Sequence, residues 1–437
     1  MDQKTKRFAI VWTLILLAAC TSANTPTATK TVQPVPTVVP LTGATPIPIL
    51  LEQISVYTTQ GDLSGNHLVS GATDMANAAV LDIPLDGNPM WLVSAPFKSN
   101  VVFVAVMEDG NAKAFKISGT SYESFDISPT QLPTGMPPTL IVTEENIQLL
   151  TPPDDASLLT NPILVNGKLV YIASNGDLVI NNSESQTRLP INALPDSRIL
   201  ADEKNRLLVL TAPTNRYDHG IAGDDLEASA IVLVETEPGL RVVQTITIAE
   251  PDVIEGISAV WADIDNDGTR DIIVTLSNRQ TGARIVAYRE DGTLLAESDP
   301  IGQGYRWRHQ IAVAEFEQNG LPLLVDVRTP HIGGIVEFLK YDNGKLVNER
   351  EYREFSTHST GSRNLDSGLA GDFNNDGIIE LIATDQGHIN LGIISLDGVI
   401  TTLPLDGILT SNLSAADLDG KLYVGAGTQD KLRIWIP

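Results

Sequence analysis

Between Leu51 and Pro437 one phrase recurs eight times with drift: a Gly-containing turn, an apolar strand, a polar loop and a second apolar strand. It reads "LDGNPMWLVSAP" with "VVFVAVMEDG", "PPTLIVTEEN" with "IQLLTP", "VNGKLVYIASNG" with "DLVINN", and "EKNRLLVLTAP" with "SAIVLVETE". The later copies are "NDGTRDIIVTLSN" with "RIVAYRED", "QNGLPLLVDVRTP" with "GIVEFLKYDNG", "NDGIIELIATDQG" with "LGIISLDG", and "LDGKLYVGAGTQD" with "LRIWIP". A unit of about 48 residues cannot bury its own apolar face, so neighbouring units must stack. Amphipathic runs of period 3.6 are missing, and short β-branched runs between Gly, Asp and Asn turns dominate. The expectation is all-β: a β-propeller of about eight four-stranded blades over residues 51–437, because radial repetition hides sheet edges. Seven blades is the alternative count, since the second and third units are the faintest. The chain stops on a strand, and "EQISVYTT" near its start is the expected outer strand of the last blade.

Two units carry a crowded acidic loop. "ADIDNDGTRDIIVTLSN" sets Asp263, Asp265, Asp267 and Asp271 at positions 1, 3, 5 and 9, with the Thr269 carbonyl at position 7. The second copy sets Asp372, Asn374, Asp376 and Glu380 in the same places, with Ile378 at the seventh. Hard oxygen ligands in a tight, Gly-assisted loop suit Ca²⁺. An EF-hand is excluded: its bidentate Glu would fall at Val274, and a strand follows where that motif has a helix. "ISAVWADIDNDGTRDIIVTLSN" and "GLAGDFNNDGIIELIATDQG" resemble FG-GAP/VCBS repeats, the blades of the integrin α-subunit head and of many bacterial surface proteins. The resemblance implies calcium in the loop between the first and second strands of a blade, in a structural role. Asp82, Asp86 and Gly87 read as a degenerate copy of that loop, as do Glu315 with Glu317 and Asp417 with Asp419.

The first fifty residues speak of location. Lys4, Lys6 and Arg7 precede an apolar run from Phe8 to Ala19, the layout of a signal peptide over residues 1–19. The run ends Leu17-Ala18-Ala19-Cys20, which resembles a bacterial lipobox, and Cys20 is the sole cysteine. A Thr/Pro-rich stretch over residues 20–50 then reads as a linker between lipid and fold. The expectation is a bacterial envelope lipoprotein, lipidated at Cys20, held on the membrane and facing outward. The formal charge of −25 argues against a nucleic-acid partner, which needs Lys and Arg on the binding face.

A different chemistry gathers in the loops expected on the opposite face. They hold Arg216, Tyr217, His219, Arg306, Trp307, Arg308, His309, Arg328, His331, His358, Arg363 and His388. Arg forks and aromatic rings in an otherwise acidic protein suggest a cell-surface binder of an anionic glycan or of a protein. The alternatives are an extracytoplasmic carbohydrate-active enzyme of lyase or dehydrogenase type, using His309 and His331 on a carboxylated sugar, and a scaffold subunit of an envelope complex. No G-x-S-x-G elbow, P-loop or HExxH pair is present, so no residue is assigned to catalysis.

Overall fold

The computed structural model describes residues 39–41, 56–57, 63–181, 185–318 and 320–437. The signal-peptide residues and Cys20 lie outside the described residues. Among the described residues the strands form eight consecutive antiparallel units. Blade 1 holds Pro89–Phe97, Asn100–Met107, Ala112–Ser118 and Ser121–Phe125. Unit 2 is a hairpin of Thr139–Val142 and Ile147–Leu149, and blade 3 runs from Ile163–Val165 to Gln186–Pro190. Blade 4 spans Leu200–Ala201 to Arg241–Thr247, blade 5 Val260–Ala262 to Leu294–Glu297, and blade 6 Arg308–Ala314 to Lys345–Arg353. Blade 7 runs from Gly368–Asp372 to Gly398–Pro404. Blade 8 has Leu409–Leu418, Lys421–Thr428 and Lys431–Ile436, closed by Ala79–Pro84.

The apolar runs follow from burial on both faces of each sheet, which removes the usual in–out alternation. Within "DIIVTLS", Ile272, Val274 and Leu276 enter the seam with blade 4, while Ile273 enters the seam with blade 6. Eight such clusters occupy the eight seams, the last joining Ile434 and Tyr423 of blade 8 to Phe103 and Leu92 of blade 1. The ring therefore closes, which is a β-propeller. Outermost strands change character: "KLVNEREYR" in blade 6 is mostly exposed, and its charges guard an edge that could pair with another chain.

Four expectations change. The strand closing blade 8 is Ala79–Pro84, not "EQISVYTT", of which Val56–Tyr57 pairs instead with unit 2. Unit 2 is therefore a three-stranded sheet rather than a four-stranded blade, because its own two apolar runs are short and no third follows. Val39–Leu41, inside the expected linker, adds to the outer edge of blade 3. Asp82 lies on the strand closing blade 8, bonded to Arg433 at 2.7 Å, and Asp86-Gly87 precedes the innermost strand of blade 1. That segment is not a copy of the acidic loop.

Residues 63–73 line the central channel. Leu63 accepts from Ala201 N of blade 4, Ser64 from Trp261 N of blade 5, and His67 bonds to Ile311 of blade 6 and Ala370 of blade 7. Ala72 N then donates to Gly420 of blade 8. Contact is so close that a Cβ on Gly65 would stand 2.2 Å from the Ala259 carbonyl oxygen, and its φ of +76° also favours glycine.

Candidate functional site

The acidic loops sit between first and second strands of blades 5 and 7, and they share one backbone. Asn266 and Gly268 have φ of 60° and 86°, matched by 61° and 85° at Asn375 and Gly377. Their wiring repeats too. The Asp263 carboxylate accepts from Asp267 N at 3.1 Å and Gly268 N at 2.7 Å, and Asp372 accepts from Asp376 N at 3.2 Å and Gly377 N at 2.9 Å. At position 9, Asp271 accepts from Ile264 N at 3.2 Å and Glu380 from Phe373 N at 2.9 Å. Thr269 N and Ile378 N each donate to the Asp at position 5, at 2.8 Å. Burial, reinforced by neighbouring carboxylates, pushes both Asp271 and Glu380 up to about 7.

The loops differ in what remains unsatisfied. In the first, oxygens of Asp263, Asp265 and Asp267 lie within 4.8 Å of one another. Arg289 bridges Asp265 and Asp267 at 2.6 Å each and lies 3.6 Å from Asp271 Oδ1, yet Asp265 Oδ1 and Asp271 Oδ1 are buried with no hydrogen-bond donor. Buried carboxylate oxygens without donors are costly and are what a hard cation relieves. In the second loop, Asn374 Nδ2 donates to Asp376 at 2.9 Å, so one acidic oxygen is already answered. The first loop therefore fits a cation better.

The opposite end carries all six histidines of the chain. Trp307, 2% exposed, stacks on His309 with centroids 4.6 Å apart and also touches the rings of His331 and His358. His67, from the channel-lining segment, meets His309 edge-on at 6.4 Å. His219 stacks on Tyr305 at 5.3 Å, and His388 Nδ1 lies 3.2 Å from the Thr384 hydroxyl. Hydrogen bonds fix the tautomers of one pair. His358 Nε2–H donates to the Ser362 carbonyl at 2.7 Å, so His358 Nδ1 accepts from His331 Nε2–H at 2.6 Å. Burial, with the neighbouring imidazoles adding to it, pushes His331 down to about 4, and burial pushes His358 down to about 3 and His309 well below its usual range. These imidazoles are neutral at neutral pH.

Four of the five expected arginines are spoken for. Buried Arg308 holds Asp326 at 2.9 Å and also Glu337. Arg328 pairs with Glu337 at 3.0 Å and Glu351 at 3.3 Å, and Arg363 with Asp196 at 3.1 Å and Asp224 at 2.5 Å. Arg216 donates to the carbonyls of Asp252 at 2.9 Å and Ile248 at 3.2 Å. Arg306 is exposed and has no carboxylate partner among the described residues. The positive patch expected from the arginine count is thereby neutralised from within. Tyr217 and Trp307 are buried, whereas the neighbouring Tyr305 is 47% exposed and can meet a ligand. His309, 2% exposed, is equally out of reach of a bound sugar.

Sequence reasoning missed Glu255, His67, Arg198 and Asp366. Glu255 holds both His219 Nδ1 and the Ser277 hydroxyl, and Glu227 accepts from Gly256 N at 3.0 Å beside it. His67 Nε2 lies 3.1 Å from Asp366. Each sits in a segment whose place at the axis only the closed ring reveals.

No family model matches the chain, and no curated protein matches it. Among solved structures, it is similar to the quinohemoprotein alcohol dehydrogenase of Pseudomonas putida, at 11% identity over 86% of this chain and 79% of that one, with a TM-score of 0.52. The quinohemoprotein alcohol dehydrogenase of Comamonas testosteroni is similar at 10% identity over the same shares, with a TM-score of 0.51. At such identity the likeness shows the propeller fold alone.

Proposed function

We propose that this chain is an outward-facing bacterial lipoprotein, tethered through Cys20, whose propeller is stabilised by calcium and docks a protein partner through its His/Arg face. One observation carries the docking reading. Among the described residues, six of the large exposed apolar side chains, Leu158, Leu226, Tyr305, Ile332, Ile389 and Ile408, project from loops of that face, and only Leu321 projects from the acidic one. The rest of that set lies on outermost strands. Apolar residues clustered around a core of neutral imidazoles and internally paired arginines suit a protein surface better than an anionic glycan. Calcium belongs to the reading through the donor-less oxygens of Asp265 and Asp271, with Asp263 and Asp267 completing the set.

The test is a native gel of detergent-solubilised envelopes. Changing Ile332 and Ile389 together to Asp should release the protein from its assembly, while Leu321→Asp leaves it bound. Wild type running as a free monomer, or the double variant staying in the assembly, would sink the reading.

A second reading, an extracytoplasmic enzyme, is favoured by the carboxylate–imidazole pair of Glu255 and His219 beside exposed Tyr305. The similar structures are dehydrogenases by name, which makes alcohol oxidation the first activity to assay. Neither the cavity beneath Trp307, of about 30 Å³, nor the groove of about 580 Å³ beside Arg308 and Arg328 is lined by Glu255, His219 or Tyr305, so docking ranks first. Dye-linked alcohol oxidation that disappears in His219→Phe at unchanged melting temperature would reverse the ranking.

A further inference from the structure

The seam between blades 5 and 6 is apolar only in part. Toward the acidic loops it is filled by a cluster that includes Ala287 and Ala296 of blade 5 with Leu324, Leu339 and Leu346 of blade 6. There the two outermost strands lie side by side, with Glu297 aligned in parallel with Lys345. Beyond that point they part. The outer strand of blade 5 ends at Glu297, whereas that of blade 6 continues to Arg353. The face of blade 6 turned toward blade 5 is therefore left uncovered there. Register decides what this face presents. Asp326 and Glu337 align two residues beyond the Leu324–Leu339 pair, so they stand on the same side of the sheet.

The result is a groove of about 580 Å³, within the roughly 300–1,000 Å³ of small-molecule sites. Pro300, Ile301 and Leu346 give it an apolar side, and Arg308, Arg328, Glu337 and Asn348 a polar one. The polar side is assembled in advance. Glu337, 5% exposed, accepts from Arg308, from Arg328 Nε at 3.0 Å and from Asn348 Nδ2 at 3.1 Å. Asp326 holds Arg308 from behind at 2.9 Å. Two guanidinium groups and two carboxylates thus cancel, and Lys345 and Asp299, the other charged residues of the lining, are of opposite sign.

We infer that this groove is a binding site for a neutral polyhydroxyl ligand of the saccharide class. Charge argues against an ion, because an anion would be set against Glu337 and a cation against the two arginines, with no counter-charge left to spare. Hydroxyl groups suit the polar side, since each both donates and accepts. Neighbouring hydroxyls can therefore answer a guanidinium and a carboxylate at once and leave the internal pairs intact. The C–H face of a sugar ring matches the apolar side. The site stands apart from the docking surface, as Ile332 and Ile389 are not in its lining.

Saturation-transfer NMR on the full chain tests this, with glucose, galactose, mannose and N-acetylglucosamine as probes and glucuronate as the charged counterpart. At least one neutral sugar should receive saturation and shift the Nε–H signals of Arg308 and Arg328. Glucuronate should bind about tenfold more weakly than that sugar, because its charge meets a balanced wall. Asn348→Trp, at an exposed position, should fill the groove and abolish the saturation at unchanged melting temperature. No saturation of any neutral sugar, binding that leaves both arginine signals in place, saturation that survives Asn348→Trp, or a preference for glucuronate overturns the proposal.

Discussion

The two ends of this propeller collect charge in opposite ways. At the acidic end, Arg289 pairs with Asp265, Asp267 and Asp271 of the blade 5 loop, but Asp265 Oδ1 and Asp271 Oδ1 stay buried without hydrogen-bond donors, which leaves room for a cation from outside. At the other end, Arg308, Arg328 and Arg363 meet Asp326, Glu337, Glu351, Asp196 and Asp224, and nothing external is needed. Pairing, not the number of charged residues, decides whether a face attracts a ligand. What the second face offers to solvent is apolar, in Ile332, Ile389 and their neighbours.

The sharpest break in this comparison is to cut an internal pair. Arg308→Ala strands the buried carboxylate of Asp326, leaves Glu337 with Arg328 alone as its cation, and should cost about 3–5 kcal/mol in denaturant unfolding. A loss below about 1 kcal/mol would mean that the pair is solvated and the face is open to anions.

Next in size is calcium. At a concentration one hundred times its Kd, calcium should stabilise by about 2.7 kcal/mol, and a chelator should remove that. Asp271→Asn should change sign between the two conditions, destabilising in calcium and stabilising in chelator, because the buried charge is a cost only when no cation answers it. The same substitution harming both states equally would place Asp271 in ordinary structure.

A smaller effect follows from opposed titrations. Asp271 and Glu380 have raised values, so their ionisation costs stability as pH climbs from about 4 through about 7. His331 and His358 have depressed values, so stability present above about 6.5 is lost as pH falls toward about 4 and about 3. In chelator the two sets oppose one another, and the stability curve between pH 4 and 6.5 should be flatter than in calcium. Combining Asp271→Asn with Glu380→Gln should restore the fall on acidification in chelator.

The smallest expected effect is Arg306→Ala. This side chain is exposed and has no carboxylate partner among the described residues, so its loss should stay within about 0.5 kcal/mol in the same unfolding assay.

Much of this was legible because it is local. The repeated phrase, the two-sided apolar run of Asp271–Ser277 and the acidic loop each depend on residues close in sequence. What was not legible depends on register and closure. Arg308 reaches Asp326 because strands 308–314 and 323–328 align Gln310 with Asp326, a pairing that neither strand announces alone. Ala79–Pro84 closes blade 8 across the whole chain, and its composition does not distinguish it from "EQISVYTT" as an outer strand. His67 could not be placed, since its segment precedes the first repeat and nothing local puts it at the axis. The arginines misled for the same reason: their acids come from other strands and loops.

Whether the acidic loop of blade 5 takes up calcium is tested most directly by the gain in melting temperature on adding calcium, followed from pH ~5 to ~8. Calcium requires the ionised form of Asp271, which titrates at about 7. The gain should be small at the acid end, grow through neutrality, and be much reduced in Asp271→Asn. A gain independent of pH, or none at any pH, would contradict the account.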